Sequence, residues 1–236
     1  KVSIIFDART AMEEDKRRIV DEVYKSNYEN FELIIVDDKK ADIAEKIKEI
    51  DSEYFMIIDK NLLEIPRKTY IQELLGIAQD DTVGIVGTKL YNEENLVEHN
   101  GIIIGMNGIG DFLYKGAPKD IGTYMQRLTI IHNVSCVLTK YAMIRKKYYL
   151  EVNGFEEKYK GITKDIDFCL KLLNNKKQVV MNPIISFKVK RLDIEKEEEV
   201  TEKEFLERWK KEYEKGDIYY SPNLSKNNTG LSIKID

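Results

Sequence analysis

The first ninety residues alternate between short apolar runs and longer amphipathic segments, and this alternation constrains the fold more than any other feature. The apolar runs cover residues 2–6, 31–36, 54–58 and 83–87, and the amphipathic segments cover residues 13–27, 41–50 and 70–79. Apolar strands separated by amphipathic helices are typical of a parallel sheet that is covered on both faces. The pattern therefore predicts an α/β fold of the nucleotide-binding kind, whose ligands bind beyond the carboxyl ends of the strands.

Polar side chains follow three of these predicted strands. In strand order they are Asp7 with Arg9, Asp37 with Asp38, and Asp59 with Lys60 and Asn61. One acidic residue after a strand is explained by a turn, because turns favour aspartate. Three such groups at the same edge of a sheet favour a binding site, so we expect a site there.

Beyond Leu90 the alternation stops, and residues 99–112 are rich in glycine and read as strand and loop. Gly105, Gly108 and Gly110 have the spacing G-x-x-G-x-G, which is the reverse of the dinucleotide-binding fingerprint. They also do not join the first strand to the first helix, as that fingerprint requires. We therefore set aside a hydride-transferring dehydrogenase.

The rest of the chain predicts four further elements. Residues 142–152 read as a helix capped by Gly154, residues 178–191 as a bent strand or strand pair, and residues 201–216 as a terminal helix. That last helix has a Thr201/Glu204 capping box and a stripe of Phe205, Trp209 and Tyr213, which we interpret as packing. Between them, a helix carries Asp165 and Asp167 in its expected first turn, where a carboxylate can simply cap the helix.

Charge and composition exclude several functions. The net charge is −4 and the many lysines alternate with acids, so no basic face for nucleic acid is expected. No apolar run approaches the ~20 residues that span a bilayer, and no signal-peptide pattern is present. Cys136 and Cys169 lack a C-x-x-C spacing and read as packed thiols in a reducing cytoplasm. Because the chain opens directly into a strand without methionine, we expect a domain excised from a longer protein.

Several segments resemble the family-2 glycosyltransferases with the GT-A fold, in the branch that builds bacterial O-antigen, capsule and related surface polysaccharides. The segments are "VSII", "FELIIVDD", "VGIVGTKLYNEENLVEHNGIIIG", "NVSCVLTKYAMIRKKYYLEVNGFEEKY", "KDIDFCLKLL" and "YYSPNLS". The resemblance implies one GT-A domain over residues 1–236. Its expected parts are a nucleotide-binding half at 1–90, an acceptor half at 91–195, and a C-terminal helix and tail at 196–236.

The resemblance also assigns roles to individual positions. Asp38, with Asp37 beside it, matches the acid that contacts the base and ribose. Asp7 is a further candidate for binding the donor nucleotide, from its position after the first strand. Asp59, Lys60 and Asn61 match the D-x-D element, which binds the donor diphosphate through Mn²⁺ or Mg²⁺ held here by Asp59 and Asn61. Asp165 matches the general base that deprotonates the acceptor hydroxyl. The expected reaction is direct displacement with inversion, from a UDP- or dTDP-sugar to a glycan or lipid-linked glycan.

This chain departs from the family pattern at four site positions. A lysine and an amide complete the triplet, Lys188 stands where the family has a histidine, and Lys164 precedes the base. Lys140 replaces a small residue where the donor sugar and the acceptor approach each other, so we expect it to fill part of the site. Drift toward lysine in an A/T-rich genome explains each change singly. Two sharper interpretations are that Lys60 or Lys188 replaces the metal as a fixed cation, or that the donor site has decayed.

We therefore predict an inverting hexosyltransferase of polysaccharide biosynthesis. The alternative is a catalytically inactive GT-A module that binds saccharide or the other domains of a larger glycosyltransferase. Either protein is expected in the cytoplasm, at the inner face of the cell membrane if its acceptor is lipid-linked.

Overall fold

The first three strands are apolar, and they pair in parallel. In the computed structural model, which describes residues 1–193, 199–230 and 232–234, β1 (Val2–Asp7) pairs with both β2 (Phe31–Val36) and β3 (Tyr54–Asp59). The connecting helices are α1 (Glu13–Val23) and α2 (Ile43–Glu49). β1 and β3 are buried almost throughout, whereas β2 is half-exposed at the edge of the sheet.

The remaining elements follow in chain order. They are β4 (Leu62–Glu64), α3 (Tyr70–Ala78), β5 (Val83–Tyr91), β6 (Val97–His99), β7 (Ile102–Ile104), β8 (Gly110–Phe112), β9 (His132–Asn133), β10 (Met143–Arg145), α4 (Lys146–Glu151), α5 (Gly161–Asn174), β11 (Gln178–Val189), α6 (Glu199–Arg208) and α7 (Lys210–Lys215).

The main sheet has the order β2-β1-β3-β10-β5-β11-β4. In addition, β6 pairs with β5 and β9 pairs with β11, and β7 and β8 form a separate hairpin. β10 is antiparallel to both β3 and β5, so β5 runs parallel to β3, and β11 runs parallel to β5. The long central strands therefore end at one common edge. This arrangement confirms the predicted α/β class, and the central sheet is mixed and mostly parallel.

The predicted helix over residues 142–152 is wrong in its first part. Met143 and Ile144 instead form β10, which is buried between β3 and β5, and the helix begins only at Lys146. A strand of three residues shows no period in the sequence, and its apolar residues fit the face of the helix that follows equally well. The predicted end is confirmed, because Gly154 follows α4 with a φ of +61°.

Helix α5 begins at Gly161, which is earlier than predicted. Asp165 and Asp167 therefore lie beyond the first turn, and the prediction that they cap the helix is wrong. Asp165 shares a face with Cys169 and Leu172, which lie four and seven residues further on. The Cys169 thiol contacts the Val137 carbonyl at 3.6 Å, so this face packs against the segment that precedes β10.

The C-terminal part contains two helices instead of the single one predicted. α6 ends at Arg208 and α7 begins at Lys210, and Thr201 lies inside α6, so the Thr201/Glu204 capping box is wrong. The aromatic stripe does pack, as predicted: Phe205 is fully buried, with its ring centroid 5.2 Å from that of Tyr159. β11 is one strand whose register shifts between Asn182 and Ser186, which confirms the bent strand.

Buried apolar side chains from Val2 to Trp209 form one large cluster, which includes both cysteines. Neither cysteine takes part in a disulfide, so both are packed thiols, as predicted. Within the described ranges, no helix combines the length and apolarity that crossing a bilayer requires. The core cluster contains residues from all three expected parts, and the boundaries at residues 90 and 195 stay predictions.

Candidate active site

The residues that precede β10 lie at the carboxyl end of β3, because β10 runs antiparallel to that strand. The Tyr141 backbone N–H donates to the Ile57 carbonyl at 2.7 Å, and Lys140 forms a bridge with Ile57. Tyr141 has a φ of +61°, which is costly for a bulky side chain and is typical of positions that the surrounding fold holds in place. Residues 139–141, called here the bridging segment, are thereby fixed beside the end of β3.

Asp59 ends β3 and is the most heavily hydrogen-bonded acid at this edge. Its Oδ2 accepts from Lys140 Nζ at 2.8 Å, and its Oδ1 accepts from the Tyr141 hydroxyl at 2.5 Å. Asn61 adds its backbone N–H to Oδ1 at 2.9 Å and its amide to Oδ2 at 3.4 Å. Asp59 is 7% exposed, so these partners replace nearly all of its water.

The ion pair keeps both groups charged. Burial alone would raise the pKa of Asp59, but the Lys140 ammonium and the hydrogen bonds from Tyr141 and Asn61 hold that pKa below its usual value. Burial would likewise lower the pKa of Lys140, yet the Asp59 carboxylate raises it above the ordinary lysine value. A carboxylate and an ammonium are therefore fixed together at neutral pH.

Asp165 has a different environment. Its Oδ1 accepts from the Thr139 N–H at 3.0 Å and from the Thr139 hydroxyl at 2.5 Å, and among the described residues nothing donates to its Oδ2. Burial raises the pKa of Asp165, and the charge of Lys164 together with the two hydrogen bonds from Thr139 offsets this only in part. A buried carboxylate with one open oxygen and a raised pKa is suited to accept a proton.

Both acids line one cavity of about 230 Å³. Its walls are Asp59, Asn61, Leu138, Thr139, Lys140, Tyr141, Gly161, Lys164, Asp165, Leu192 and Asp193. The bridging segment contacts Asp59 through its second and third residues and Asp165 through its first. Three consecutive residues thus join an acid from β3 to an acid from α5 across one cavity.

His99 holds Leu138, the residue that directly precedes the bridging segment. Its Nδ1 lies 2.9 Å from the Thr88 carbonyl, and its Nε2 accepts the backbone N–H groups of Gly101 at 3.2 Å and Leu138 at 3.1 Å. Two donors on Nε2 require the neutral ring with its proton on Nδ1. Full burial lowers the pKa of His99 to about 4, so the ring stays neutral near physiological pH.

The structure places Asp7 at the same sheet edge, in register with Asp59, but ties it to a different cation. The Arg9 guanidinium contacts both carboxylate oxygens of Asp7 at 2.8 Å and also donates to the Ala41 carbonyl at 3.1 Å. Burial raises the pKa of Asp7, but the pairing with Arg9 outweighs it and leaves that pKa lowered. Asp7 is near the candidate site without lining its cavity.

Asp37 and Asp38 follow β2 at this edge, and both are exposed. Asp38 accepts the backbone N–H of Lys40 at 2.9 Å, and Asp37 lies 3.4 Å from Lys16 Nζ. They lie outside the cavity wall, two strands away from Asp59. Their predicted contact with base and ribose stays a prediction.

Lys60 and Lys188, the two lysines suggested as metal replacements, do not contact Asp59. Both are half-exposed, and neither makes an ion pair with any residue in the described ranges. Lys188 lies in β11 opposite Glu64, away from the cavity wall. The cation that the structure places on Asp59 is Lys140, the residue that the sequence suggested would partly fill the site.

The residues present do not fit a divalent metal at Asp59. Mn²⁺ and Mg²⁺ take several oxygen ligands, yet the Asp59 oxygens already accept from Tyr141, Asn61 and Lys140. Bringing a divalent ion to this carboxylate would place it against an ammonium. In the part of the chain that the structure describes, no cluster of three or more histidine, cysteine or acidic side chains could hold a metal.

Sequence reasoning missed Tyr141 and His99 as parts of the site. The positive φ of Tyr141 leaves no mark in the sequence, and the long-range bond from its hydroxyl to Asp59 depends on where β10 inserts. His99 stands in a glycine-rich segment that predicted only strand and loop. A lone histidine next to an asparagine and a glycine gives no signal of the two N–H groups it accepts.

Comparison with known proteins places the chain among distant relatives. The chain matches no protein-family model. It is 26% identical over 206 residues to the uncharacterized protein y4gI of Sinorhizobium fredii (strain NBRC 101917 / NGR234), a match that covers 72% of this chain. It is 26% identical over 126 residues to the O-antigen biosynthesis protein RfbC of Myxococcus xanthus, which covers 53% of this chain. The matched regions amount to 22% and 10% of those two proteins, so this chain corresponds to a small part of each.

Proposed function

We propose that this chain is a glycosyltransferase domain of bacterial surface-polysaccharide synthesis, which moves a sugar from a nucleoside-diphosphate sugar to a glycan acceptor with inversion. Three observations support the proposal. The sheet has the nucleotide-binding arrangement, the candidate site lies at the carboxyl edge of its strands, and one distant relative is named for O-antigen biosynthesis. The family-2 assignment rests on the motifs quoted above.

The observation that carries the proposal is the environment of Asp165. Its Oδ2 is open, burial raises its pKa, and it shares a cavity with the Asp59–Lys140 pair. In the proposed reaction, Oδ2 takes the proton of the acceptor hydroxyl while that oxygen forms a bond to the anomeric carbon. The bond from the anomeric carbon to the diphosphate oxygen breaks, and its electron pair leaves with the nucleoside diphosphate.

The remaining predicted residues are assigned by position. Asp37 and Asp38, exposed beyond β2, would contact the nucleoside, and Asp59, Asn61 and Lys140 would face the diphosphate. We propose UDP- or dTDP-linked hexoses as donors and a glycan or lipid-linked glycan as acceptor. The reaction would take place in the cytoplasm, at the inner face of the membrane for a lipid-linked acceptor, with other domains of a longer protein as partners.

The test is nucleotide release from a panel of UDP- and dTDP-sugars with a glycan acceptor. Asp165→Asn keeps the oxygen that Thr139 contacts but removes the base, so release should fall by about 10²- to 10⁴-fold. Asp120→Asn is the matched control, because Asp120 is exposed and lies outside the cavity. Equal release by the parent and Asp165→Asn would remove Asp165 from the role of base.

The alternative is a module that binds saccharide or a partner domain without catalysis. It is favoured by the same ion pair, because an ammonium occupies the carboxylate that would otherwise receive a metal. Titration of the parent chain with UDP and dTDP separates the two functions. If neither nucleotide binds with or without Mn²⁺, the transferase proposal fails and the non-catalytic module remains.

A further inference from the structure

The Lys140 ammonium has unused hydrogen-bonding capacity directed at the cavity. An ammonium has three N–H donors, and in the described part of the chain Lys140 Nζ donates only to Asp59 Oδ2. The Lys140 side chain is 43% exposed, whereas that of Asp59 is 11% exposed, so the pair presents its positive end to the open space. Lys140 is thus a charged donor group that faces the cavity it lines.

The neighbours of Lys140 hold its backbone in place, and Asp59 holds its ammonium. Thr139 on one side is bonded to Asp165, and Tyr141 on the other is bonded to Asp59 and, through its carbonyl, to the Thr88 hydroxyl at 2.7 Å. A cation that is already oriented needs no reorganisation when a negative group binds or develops charge beside it. Anchors on both sides of Lys140 supply that preorganisation.

We propose that Lys140, held on Asp59, is the built-in cation that binds the diphosphate of the donor, so that nucleotide binding requires no divalent metal. The inference rests on the proposed function, since it concerns the donor of that reaction. A lysine ammonium is a compact charge suited to phosphate oxygens, and two of its N–H donors are free to reach them. As the diphosphate leaves, the same charge stabilises the negative oxygen that forms.

The surroundings of Asp59 also explain why a metal would not take this place. A divalent ion would have to displace the ammonium from Oδ2, and among the described residues that contact Asp59 it would find the neutral amide of Asn61 as a further oxygen ligand. Metal ions of this class need more oxygen ligands than that, with carboxylates preferred. Lys140 supplies one positive charge at this place, where a divalent ion would supply two.

The test is calorimetric titration of the whole chain with UDP and with dTDP, in EDTA and in millimolar Mn²⁺. The expected result is binding of equal affinity in both buffers. Lys140→Gln should weaken binding by about ten- to a hundred-fold, the usual effect of losing a hydrogen bond to a charged group. Lys140→Arg should keep most of the affinity, because it keeps the charge.

Two further variants separate binding from folding. Lys147→Gln removes the same charge from an exposed position on α4, outside the cavity wall, and should bind UDP as the parent does. The double variant Asp59→Asn/Lys140→Gln leaves no unpaired buried charge, so thermal melting should show it folded. It should nevertheless bind UDP as weakly as Lys140→Gln.

The outcomes distinguish the two proposals. A parent chain that binds UDP only with Mn²⁺ overturns the inference and leaves the proposed function standing. The inference is also overturned, and the proposed function stands, if Lys140→Gln binds UDP as tightly as the parent chain. If Lys140→Gln does not fold, the same conclusion follows from parent-like binding by the double variant. A parent chain that binds neither nucleotide in either buffer overturns both.

Discussion

The Lys140–Asp59 pair can be measured by its contribution to stability, independently of any ligand. The two groups meet at 2.8 Å, and the side chains are 43% and 11% exposed. Lys140→Gln removes the ammonium and leaves Asp59 in a buried position with fewer partners. Asp59→Asn removes the opposite charge, and the double variant removes both, which together form a double-mutant cycle.

The magnitude follows from the exposure of the two partners. Breaking a fully buried pair costs about 3–5 kcal/mol, and exposed pairs contribute about 0.2–1 kcal/mol. Asp59 is buried and the Lys140 side chain is 43% exposed, so we expect Lys140→Gln to lower the free energy of unfolding by about 2 kcal/mol. The double variant should recover more than half of that loss, because the buried carboxylate is then neutral.

The assay is urea denaturation of the four proteins near neutral pH. The exposed pair Lys203–Glu199 on α6 is the matched control, because its atoms lie 2.7 Å apart, close to the 2.8 Å of the Lys140–Asp59 pair, while both of its side chains are more than two-thirds exposed. Its coupling energy should be at most about 0.5 kcal/mol. A coupling energy for Lys140 and Asp59 that is no larger than this control would refute the placement of the ammonium.

Three other predictions concern the surroundings of the site. Thr139→Val removes a hydroxyl that stabilises the charged form of Asp165, so the pKa of the base should rise and the acid limb of the pH–rate profile should move to higher pH. Burial lowers the pKa of His99 to about 4 in the folded chain, against 6.5 for an ordinary histidine, so the unfolded chain binds a proton first as the pH falls. The free energy of unfolding should therefore fall by about 3 kcal/mol between about pH 6.5 and pH 4. Urea titrations at several pH values should show this slope in the parent and lose it in His99→Gln. Gly154→Ala should lower the free energy of unfolding by about 1–3 kcal/mol, since its φ is +61° and a Cβ would lie 2.6 Å from an aromatic ring, whereas Gly76→Ala in α3 meets nothing and should not destabilise.

The sequence predicted the part of the fold that is set by local pattern. β1, β2 and β3 are continuous apolar runs bounded by helices with a clear period, so both their type and their order could be predicted. β10 could not, because three residues have no period and their strand conformation comes from pairing with β3 and β5. The start of α5 at Gly161 was not predictable from the sequence pattern either.

The candidate site was predictable in its acids and not in its cation. Asp59 and Asp165 stand out by strand position and by resemblance, and the structure brings both to one cavity. One of the two interpretations from the sequence takes Lys60 or Lys188 as the cation that replaces the metal, because Lys60 is next to Asp59 and Lys188 matches a family position. Lys140 reaches Asp59 across 81 residues because β10 inserts beside β3, and that insertion is a tertiary event without a local signature.

The most direct measurement of the central claim is a crystal structure of this chain with UDP bound in the presence of EDTA. The account predicts Lys140 Nζ within hydrogen-bond distance of both the Asp59 carboxylate and a phosphate oxygen, with the Thr139 hydroxyl on Asp165. Lys140 turned toward bulk solvent, or a metal ion on Asp59 in crystals grown with Mn²⁺, would contradict it.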